Sequence, residues 1–127
     1  MKLKILTLNT WRYYDWEKRR DLIINLIVNE KPDIICLQEV NEDPNFQEGG
    51  NNQVEQIANL CGYPFHEFEK ITKLEKWHLE PLDREVWMGD GIISRFPIKE
   101  HNKKILKKYL DNGDSKDLGF IHAILEI

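Results

Sequence analysis

The chain has 127 residues, the size of one compact domain. Its formal net charge is −4 at pH 7, which argues against generic binding to polyanions, because such binding needs a basic surface. No apolar run approaches the roughly 20 residues of a membrane span. The first strand pattern begins at Lys2 with no signal peptide before it, and Cys36 and Cys61 lie in apolar patterns typical of buried reduced thiols. We therefore expect a cytoplasmic protein.

The first third of the chain predicts a strand–helix–strand unit. Residues 2–9 have the apolar pattern of a strand covered on both faces, and Asp15 is a candidate N-cap for a helix that ends near Asn29. A second strand follows at residues 34–39, so the two strands are expected to be parallel neighbours with a right-handed crossover. Helical spacing predicts a buried stripe on the helix, formed by Leu22, Ile23, Leu26 and Ile27.

The rest of the chain predicts further strands and one more helix. A polar loop at residues 41–52 precedes a helix closed by Gly62, and residues 63–69 alternate weakly like a strand. Residues 70–88 have no clean period, so we expect an irregular loop, in which Trp77 and Trp87 either line a cleft or simply pack. Later strands are predicted at residues 91–95, 106–109 and 119–127, with a hairpin turn at 111–114.

Two polar side chains follow the two strands of the first unit. Asn9 ends the first strand pattern, and Glu39 ends the apolar run of the second. In open α/β sheets ligands bind at the carboxyl ends of strands, and a carboxylate that ends an apolar strand is costly without a cationic partner. We therefore expect a working site here. Two alternatives stay open: a lysine or arginine pairs with Glu39, and the Asn9 amide caps the following turn.

Three segments resemble those of a known superfamily. They are LTLNTW at residues 6–11, PDIICLQEV at 32–40 and GDGIISRFPI at 89–98. In this order and at these spacings, they are similar to the endonuclease/exonuclease/phosphatase superfamily, which has the DNase I-like fold. The resemblance implies an α/β protein built as a four-layer sandwich with two central sheets. It also implies hydrolysis of phosphoester bonds with a divalent cation, Mg²⁺ or Mn²⁺.

The resemblance also implies roles for the two polar residues. Glu39 corresponds to the metal ligand, and Asn9 helps to hold metal or phosphate, so both are the predicted catalytic and metal residues. Arg12 directly follows the first motif and could contact a phosphate, although a solvated loop arginine is an equal alternative. After Ile98 nothing matches the later Asn-Thr-His, Asp-x-Asn and Asp-His segments of the family. Residues 1–127 thus resemble the N-terminal half of the family domain, truncated before the expected general base.

Two functions from different classes are compatible with these features. The first is a metal-dependent phosphodiesterase, nuclease or phosphatase with an incomplete catalytic domain. Its substrate class is open, because family members act on nucleic acid, phospholipid, inositol phosphate and small phosphodiesters. The second is a non-catalytic fragment or interaction module that self-associates or pairs with a second chain. A half-domain would expose one sheet face, so we expect a homodimer or an aggregation-prone monomer, with the face formed by Leu6, Leu8, Ile35, Leu37, Ile92 and Ile93.

Overall fold

The computed structural model describes residues 1–77, 79–111 and 114–127, and it describes the side chains of these residues except those at 107–116. The first half contains β1 (Ile5–Asn9), α1 (Trp16–Glu30), β2 (Ile34–Glu42) and α2 (Gln53–Cys61). The second half contains β3 (Phe65–Trp77), β4 (Glu80–Ser94), β5 (Ile98–Asp111) and β6 (Asp114–Leu125).

The strands form two sheets. The larger sheet has the order β1-β2-β4-β3, and the smaller one consists of β5 and β6. β1 and β2 are parallel, with Ile5 opposite Ile34 and Asn9 opposite Gln38, whereas the other pairs are antiparallel. The predicted strand–helix–strand unit and the α/β class are therefore confirmed.

Both helices cover one face of the larger sheet. Gly91 of β4 permits the close approach of α2, because a Cβ at this position would lie 2.2 Å from Cγ2 of Val54. The core between helices and sheet is apolar, and its most deeply buried side chains are Ile27, Ile35, Leu37, Val40, Val54, Ile57 and Ile93.

The smaller sheet packs against the opposite face of β3 and β4. Glu67 pairs with Ile92, whose neighbour Ile93 faces the helices, so Glu67 and Glu69 point away from the helices. From β5, His101 contacts both carboxylates, with Nε2 3.3 Å from Glu67 and Nδ1 2.7 Å from Glu69. The layers are therefore helices, larger sheet and smaller sheet.

The predicted stripe of α1 is only partly right. Ile23 and Ile27 are buried, but Leu22 is 70% exposed and Leu26 is 41% exposed. The helix faces the sheet along a narrow line that starts at Trp16 and continues through Ile23 and Ile27, and Leu22 and Leu26 lie to one side of it. Asp15 occupies the N-cap position, but its side chain makes no capping hydrogen bond.

The predicted irregular loop at residues 70–88 is wrong, because this segment forms most of a long antiparallel hairpin of β3 and β4. Its register shifts between Lys70 and Thr72 and again between Leu74 and Lys76. Each shift places side chains out of strict alternation, so Ile71 and Thr72 are both buried. For this reason the sequence of residues 70–88 lacks the alternation of apolar and polar residues that is typical of a strand.

The expectation that six aliphatic side chains on one sheet face are exposed to solvent is also wrong. Ile35, Leu37 and Ile93 are buried beneath the helices, with Leu6 and Leu8 partly buried against the same core. Ile92 is buried on the face opposite the helices. The predicted strands at 106–109 and 119–127 belong to β5 and β6, whereas the turn residues Asn112 and Gly113 lie outside the described residues.

Two further expectations concern cysteines and membranes. Cys36 and Cys61 are both free, and burial raises the pKa of both thiols, that of Cys61 to about 11. In the described residues, no helix is long and apolar enough to cross a membrane.

The close contact between β3 and β4 at Gly89 makes this residue sensitive to substitution. A Cβ at Gly89 would lie 1.8 Å from the carbonyl oxygen of Glu69, so Gly89→Ala must displace backbone. We expect a loss of about 3 kcal/mol in the free energy of unfolding, measured by urea denaturation. Gly49→Asn is the control, because nothing lies within 4 Å of the Cβ position there and only the strain of its positive φ remains, which is small for asparagine. Equal stability of the two variants would contradict the hairpin register.

Candidate functional site

A bulge in β2 determines where the Glu39 side chain lies. Leu37 pairs with Gly91 and Val40 pairs with Gly89, so Gln38 and Glu39 together stand opposite the single residue Asp90. Glu39 has a φ of 52°, in the left-handed region that is uncommon for a side chain of this kind. Regular alternation after Leu37 would direct Glu39 into the core beneath the helices. The bulge instead gives that inward position to Val40 and leaves Glu39 half-buried.

The end of β1 is bonded to the same bulge. The backbone N–H of Thr10 donates to Gln38 O at 2.9 Å, and the N–H of Arg12 donates to Glu39 O at 2.9 Å. The Thr10 hydroxyl also donates to Glu39 O at 2.8 Å. These bonds hold the segment after Asn9 against the bulge, so Asn9 and Glu39 lie at the same edge of the sheet, as the sequence predicts.

The Glu39 carboxylate has no compensating group among the described residues. Within that part of the chain, no lysine, arginine or histidine nitrogen lies within 4 Å of it and no donor hydrogen-bonds to it. The alternative of a salt bridge therefore has no partner there. A half-buried carboxylate that lacks a cation fits a hard divalent metal such as Mg²⁺, which usually takes one or two protein carboxylates and several waters.

The Asn9 amide already has one structural role. Its Oδ1 accepts a hydrogen bond from the backbone N–H of Trp11 at 2.9 Å, which is the turn-capping alternative. Its Nδ2 has no partner among the described residues, so this group is available to donate to a phosphate oxygen. The two roles are compatible because they use different ends of the amide.

Arg12 lies between the sheet edge and the far end of the β3–β4 hairpin. Its guanidinium carbon is 5.6 Å from the centroid of the Trp77 ring, and in the described side chains no carboxylate lies within 4 Å of its nitrogens. The guanidinium is therefore stacked but not neutralised. Trp77 packs against Arg12 of the loop after β1, whereas Trp87 contacts Lys70 elsewhere on the hairpin.

Arg19 of α1 organises the loop after β1, and the sequence gives no direct signal of this. Its guanidinium donates to the carbonyl oxygens of Thr10 at 2.7 Å, Tyr14 at 2.6 Å, Arg12 at 3.1 Å and Trp11 at 3.2 Å. Burial of the guanidinium lowers the pKa of Arg19. One side chain therefore satisfies four carbonyls of a loop in which Trp11 and Arg12 have positive φ angles.

Gln53 joins the two strand ends to α2. This fully buried side chain donates from Nε2 to Arg12 O at 2.8 Å and accepts at Oε1 from the Asn41 N–H at 3.1 Å. The Thr10 hydroxyl lies 3.4 Å from the same oxygen. The only signals in the sequence are two glutamines, Gln53 and Gln56, among the apolar residues of the buried helix face, so sequence reasoning missed it.

Asp90 is a second carboxylate that sequence reasoning missed. It is half-buried opposite the bulge, it has no partner among the described residues, and burial raises its pKa. Its flanking glycines, Gly89 and Gly91, are the nearest signal in the sequence. In the part of the chain that the structure describes, no three His, Cys, Asp or Glu residues are grouped to hold a metal. A metal here would therefore rely on few carboxylates and on water.

The raised pKa of Asp90 predicts a change of stability with pH. The folded state holds the Asp90 proton more tightly than the unfolded state, so this group's contribution to stability is lost as pH rises from about 3.8 through the folded pKa. We expect Asp90→Asn to have a higher Tm than the wild type at pH 7 in EDTA. The difference should shrink as the pH falls toward 3.8, and thermal melting across pH measures both.

Asp83→Asn is the matched control for that experiment, because the Asp83 side chain is 90% exposed. This variant should melt close to the wild type at every pH. A lower Tm for Asp90→Asn at pH 7 would mean that the charged form of Asp90 is stabilised in the fold.

A comparison with protein families gives one match over most of the chain. The model of the Endonuclease/Exonuclease/phosphatase family matches residues 6–121. Among curated proteins, the uncharacterized protein L388 of Acanthamoeba polyphaga mimivirus is 48% identical over 54 residues. That match covers 36% of this chain and 20% of the viral protein.

Solved structures show the same fold in larger proteins. An endonuclease/exonuclease/phosphatase from Beutenbergia cavernae superposes with a TM-score of 0.72 at 21% identity, over 98% of this chain and 34% of that one. A family protein from Leptotrichia buccalis has a TM-score of 0.58 at 18% identity, over 82% of this chain and 42% of that one. The chain spans about a third of the length of the first solved structure and a fifth of the viral relative.

Proposed function

The chain belongs to the endonuclease/exonuclease/phosphatase family, and from this premise we propose that it is part of a divalent-metal-dependent hydrolase of phosphoester bonds. The fold is the DNase I-like α/β fold of the larger solved proteins. The single observation that supports the metal-dependent reaction in this chain is the bulge at Glu39. It holds a carboxylate without a cationic partner, among the described residues, beside the end of β1.

In this proposal each residue has a distinct task. Glu39 holds Mg²⁺ or Mn²⁺, and Asp90 across the bulge is the second carboxylate within the same part of the sheet. Asn9 donates from Nδ2 to a phosphate oxygen, and Arg12 places a positive charge beside the substrate. A divalent cation held there would supply charge stabilisation and positioning for hydrolysis of the phosphoester.

The proposal also includes an incomplete catalytic domain. Residues after Ile98 contain no Asn-Thr-His, Asp-x-Asn or Asp-His segment that would supply the base expected from the family. General base catalysis contributes about 10²–10⁴-fold to rate. The 127 residues are therefore proposed to bind metal and phosphoester but to turn substrate over poorly by themselves.

Metal binding is the direct test of the role of Glu39. We expect Mn²⁺ or Mg²⁺ to bind weakly to the folded chain in calorimetric titration, because a single carboxylate with one neighbour forms a sparse site. Glu39→Gln should abolish the binding heat, since it removes the charge and keeps the shape. Glu48→Gln, at an exposed position in the loop after β2, should titrate like the wild type. Unchanged binding by Glu39→Gln would remove Glu39 from the metal site.

A second candidate function is an interaction module, and one surface favours it. The face of the β5–β6 sheet that points away from β3 and β4 carries three exposed apolar side chains, Leu118, Phe120 and Ile124, and Leu106 is exposed at the register shift in β5. Several exposed apolar side chains on one sheet face are typical of interaction surfaces or aggregation-prone surfaces. The proposed partner is a second copy of this chain or a separate chain.

Self-association tests this second candidate. If the apolar face of β5 and β6 mediates contacts between copies, sedimentation velocity should show dimers or larger species whose fraction rises with concentration. Leu118→Lys should return the protein to a monomer because it places a charge on that face. Leu22→Lys is the matched control on α1, where Leu22 is also exposed. A wild type that stays monomeric at all concentrations would show that copies of the chain do not associate through this face.

A further inference from the structure

The loop after β1 presents aromatic rings beside the proposed phosphate site. Trp11 is 54% exposed and Tyr14 is 38% exposed, although both are large side chains in a well-bonded loop. Their ring centroids are 4.5 Å apart with a 39° tilt, and the Arg19 guanidinium lies 5.6 Å from the Trp11 centroid. We call these rings, together with Arg12 and Trp77, the aromatic platform.

The platform is built from two distant parts of the chain. Trp11, Arg12 and Tyr14 follow β1, whereas Trp77 ends β3 at the far end of the long hairpin. The stacking of Arg12 on Trp77 joins the two parts. The result is two groups of planar side chains, Trp11 with Tyr14 and Arg19, and Arg12 with Trp77, which the consecutive residues Trp11 and Arg12 link through the backbone.

The backbone under the platform is held in an unfavourable conformation. Trp11 and Arg12 have φ angles of 53° and 54°, and residues held in this region cost of order 1–3 kcal/mol each. The four hydrogen bonds from Arg19 and the bond from Gln53 to Arg12 O maintain it. Exposed aromatic rings on a fixed, strained loop indicate a binding surface of defined geometry.

We infer that the aromatic platform binds an unpaired nucleobase next to the phosphate held at Asn9, so that the substrate is single-stranded nucleic acid. This inference rests on the proposed function, because it takes the phosphate site as given. Base–aromatic stacking with help from arginine is the usual way in which proteins hold single strands. Trp11 is two residues from Asn9, at most roughly 7 Å along the backbone, which is the scale of one nucleotide.

Single strands are favoured over duplexes by the nature of the surface. A ring that is open at the protein surface can stack on a base only if the face of that base is free, and in a duplex the faces are covered by neighbouring pairs. Arg12 adds a cation with no carboxylate within 4 Å among the described side chains, which suits a phosphate next to the stacked base. A membrane contact would need no fixed ring geometry, so the strained loop favours the base.

Binding without hydrolysis tests this inference. Fluorescence anisotropy in EDTA with a labelled oligothymidylate of about ten nucleotides measures affinity for a single strand. We expect Trp11→Ala to weaken binding by about 5- to 150-fold, the range that alanine substitution of a stacking aromatic gives. Trp11→Phe should keep part of the affinity. Arg12→Gln should reduce the slope of log K against log salt by about 0.7, as expected for one lost phosphate contact on a single strand.

Controls separate stacking from misfolding and from other ligands. Leu22→Ala, at an exposed position on α1, should bind like the wild type, and circular dichroism melting should show that Trp11→Ala remains folded. A duplex of the same length should bind more weakly than the single strand. Equal affinity for duplex and single strand, or unchanged binding by Trp11→Ala, would overturn the inference. If the protein sediments with phosphatidylserine vesicles and does not bind the oligonucleotide, the rings belong to a membrane-binding surface, and the inference is overturned as well.

The two proposals can fail separately in these experiments. The wild type should bind the oligonucleotide in EDTA, because stacking on the platform does not need the metal. If the wild type binds no metal in the titration but Trp11→Ala still weakens oligonucleotide binding, the metal-dependent function alone is contradicted. Metal binding without any effect of Trp11→Ala on oligonucleotide affinity would contradict the platform alone.

Discussion

The bulge at Gln38 and Glu39 is the constraint on which the rest of the site depends. β2 is apolar and lies in the middle of the sheet, so a regular strand would direct the Glu39 carboxylate into the core under the helices. Burial of an unpaired charge there is far more costly than one left-handed residue. The positive φ of Glu39 avoids burial of the carboxylate at the smaller cost of one left-handed residue. It also presents the Glu39 carbonyl to Thr10 and Arg12, and this contact sets the path of the chain after β1.

The loop after β1 is held by side-chain hydrogen bonds from both helices. Arg19 satisfies four of its carbonyls from one side, and Gln53 bonds Arg12 O from the other. The conformational entropy of the loop is therefore lost during folding and not during binding, which is the general advantage of a preorganised site. The exposure of Trp11 is consistent with this view, since the same bonds that fix the backbone keep its ring at the surface.

The sequence predicts the β1–β2 part of the fold well because its signals are local. An apolar run, a helix of ordinary length and a second apolar run leave little choice but parallel neighbouring strands, and this places Asn9 and Glu39 together. The hairpin of β3 and β4 could not be predicted, because two register shifts remove the alternation on which strand prediction depends. For the same reason Asp90 was missed as a site residue and the role of Trp77 stayed open between two alternatives, since their positions follow from the hairpin register. Gln53 was missed because its partners are backbone atoms far away in sequence, which no local pattern encodes.

The local charges of the site differ from the net charge of the chain, so net charge alone does not determine which ligands the site can bind. The chain is acidic overall, and its composition therefore disfavours non-specific attraction of polyanions over long range. The site itself is mixed, with the carboxylates of Glu39 and Asp90 at the bulge and the unneutralised guanidinium of Arg12 beside Trp77. Two carboxylates repel a phosphate by themselves, so a divalent cation held at this edge of the sheet, as proposed, would strengthen phosphate binding by reversing the local charge. Stacking on the aromatic platform does not depend on net charge, because the face of a base carries none. An acidic chain can therefore hold a single nucleotide unit by contacts of short range, even though it lacks the basic surface that would steer a long polyanion toward it.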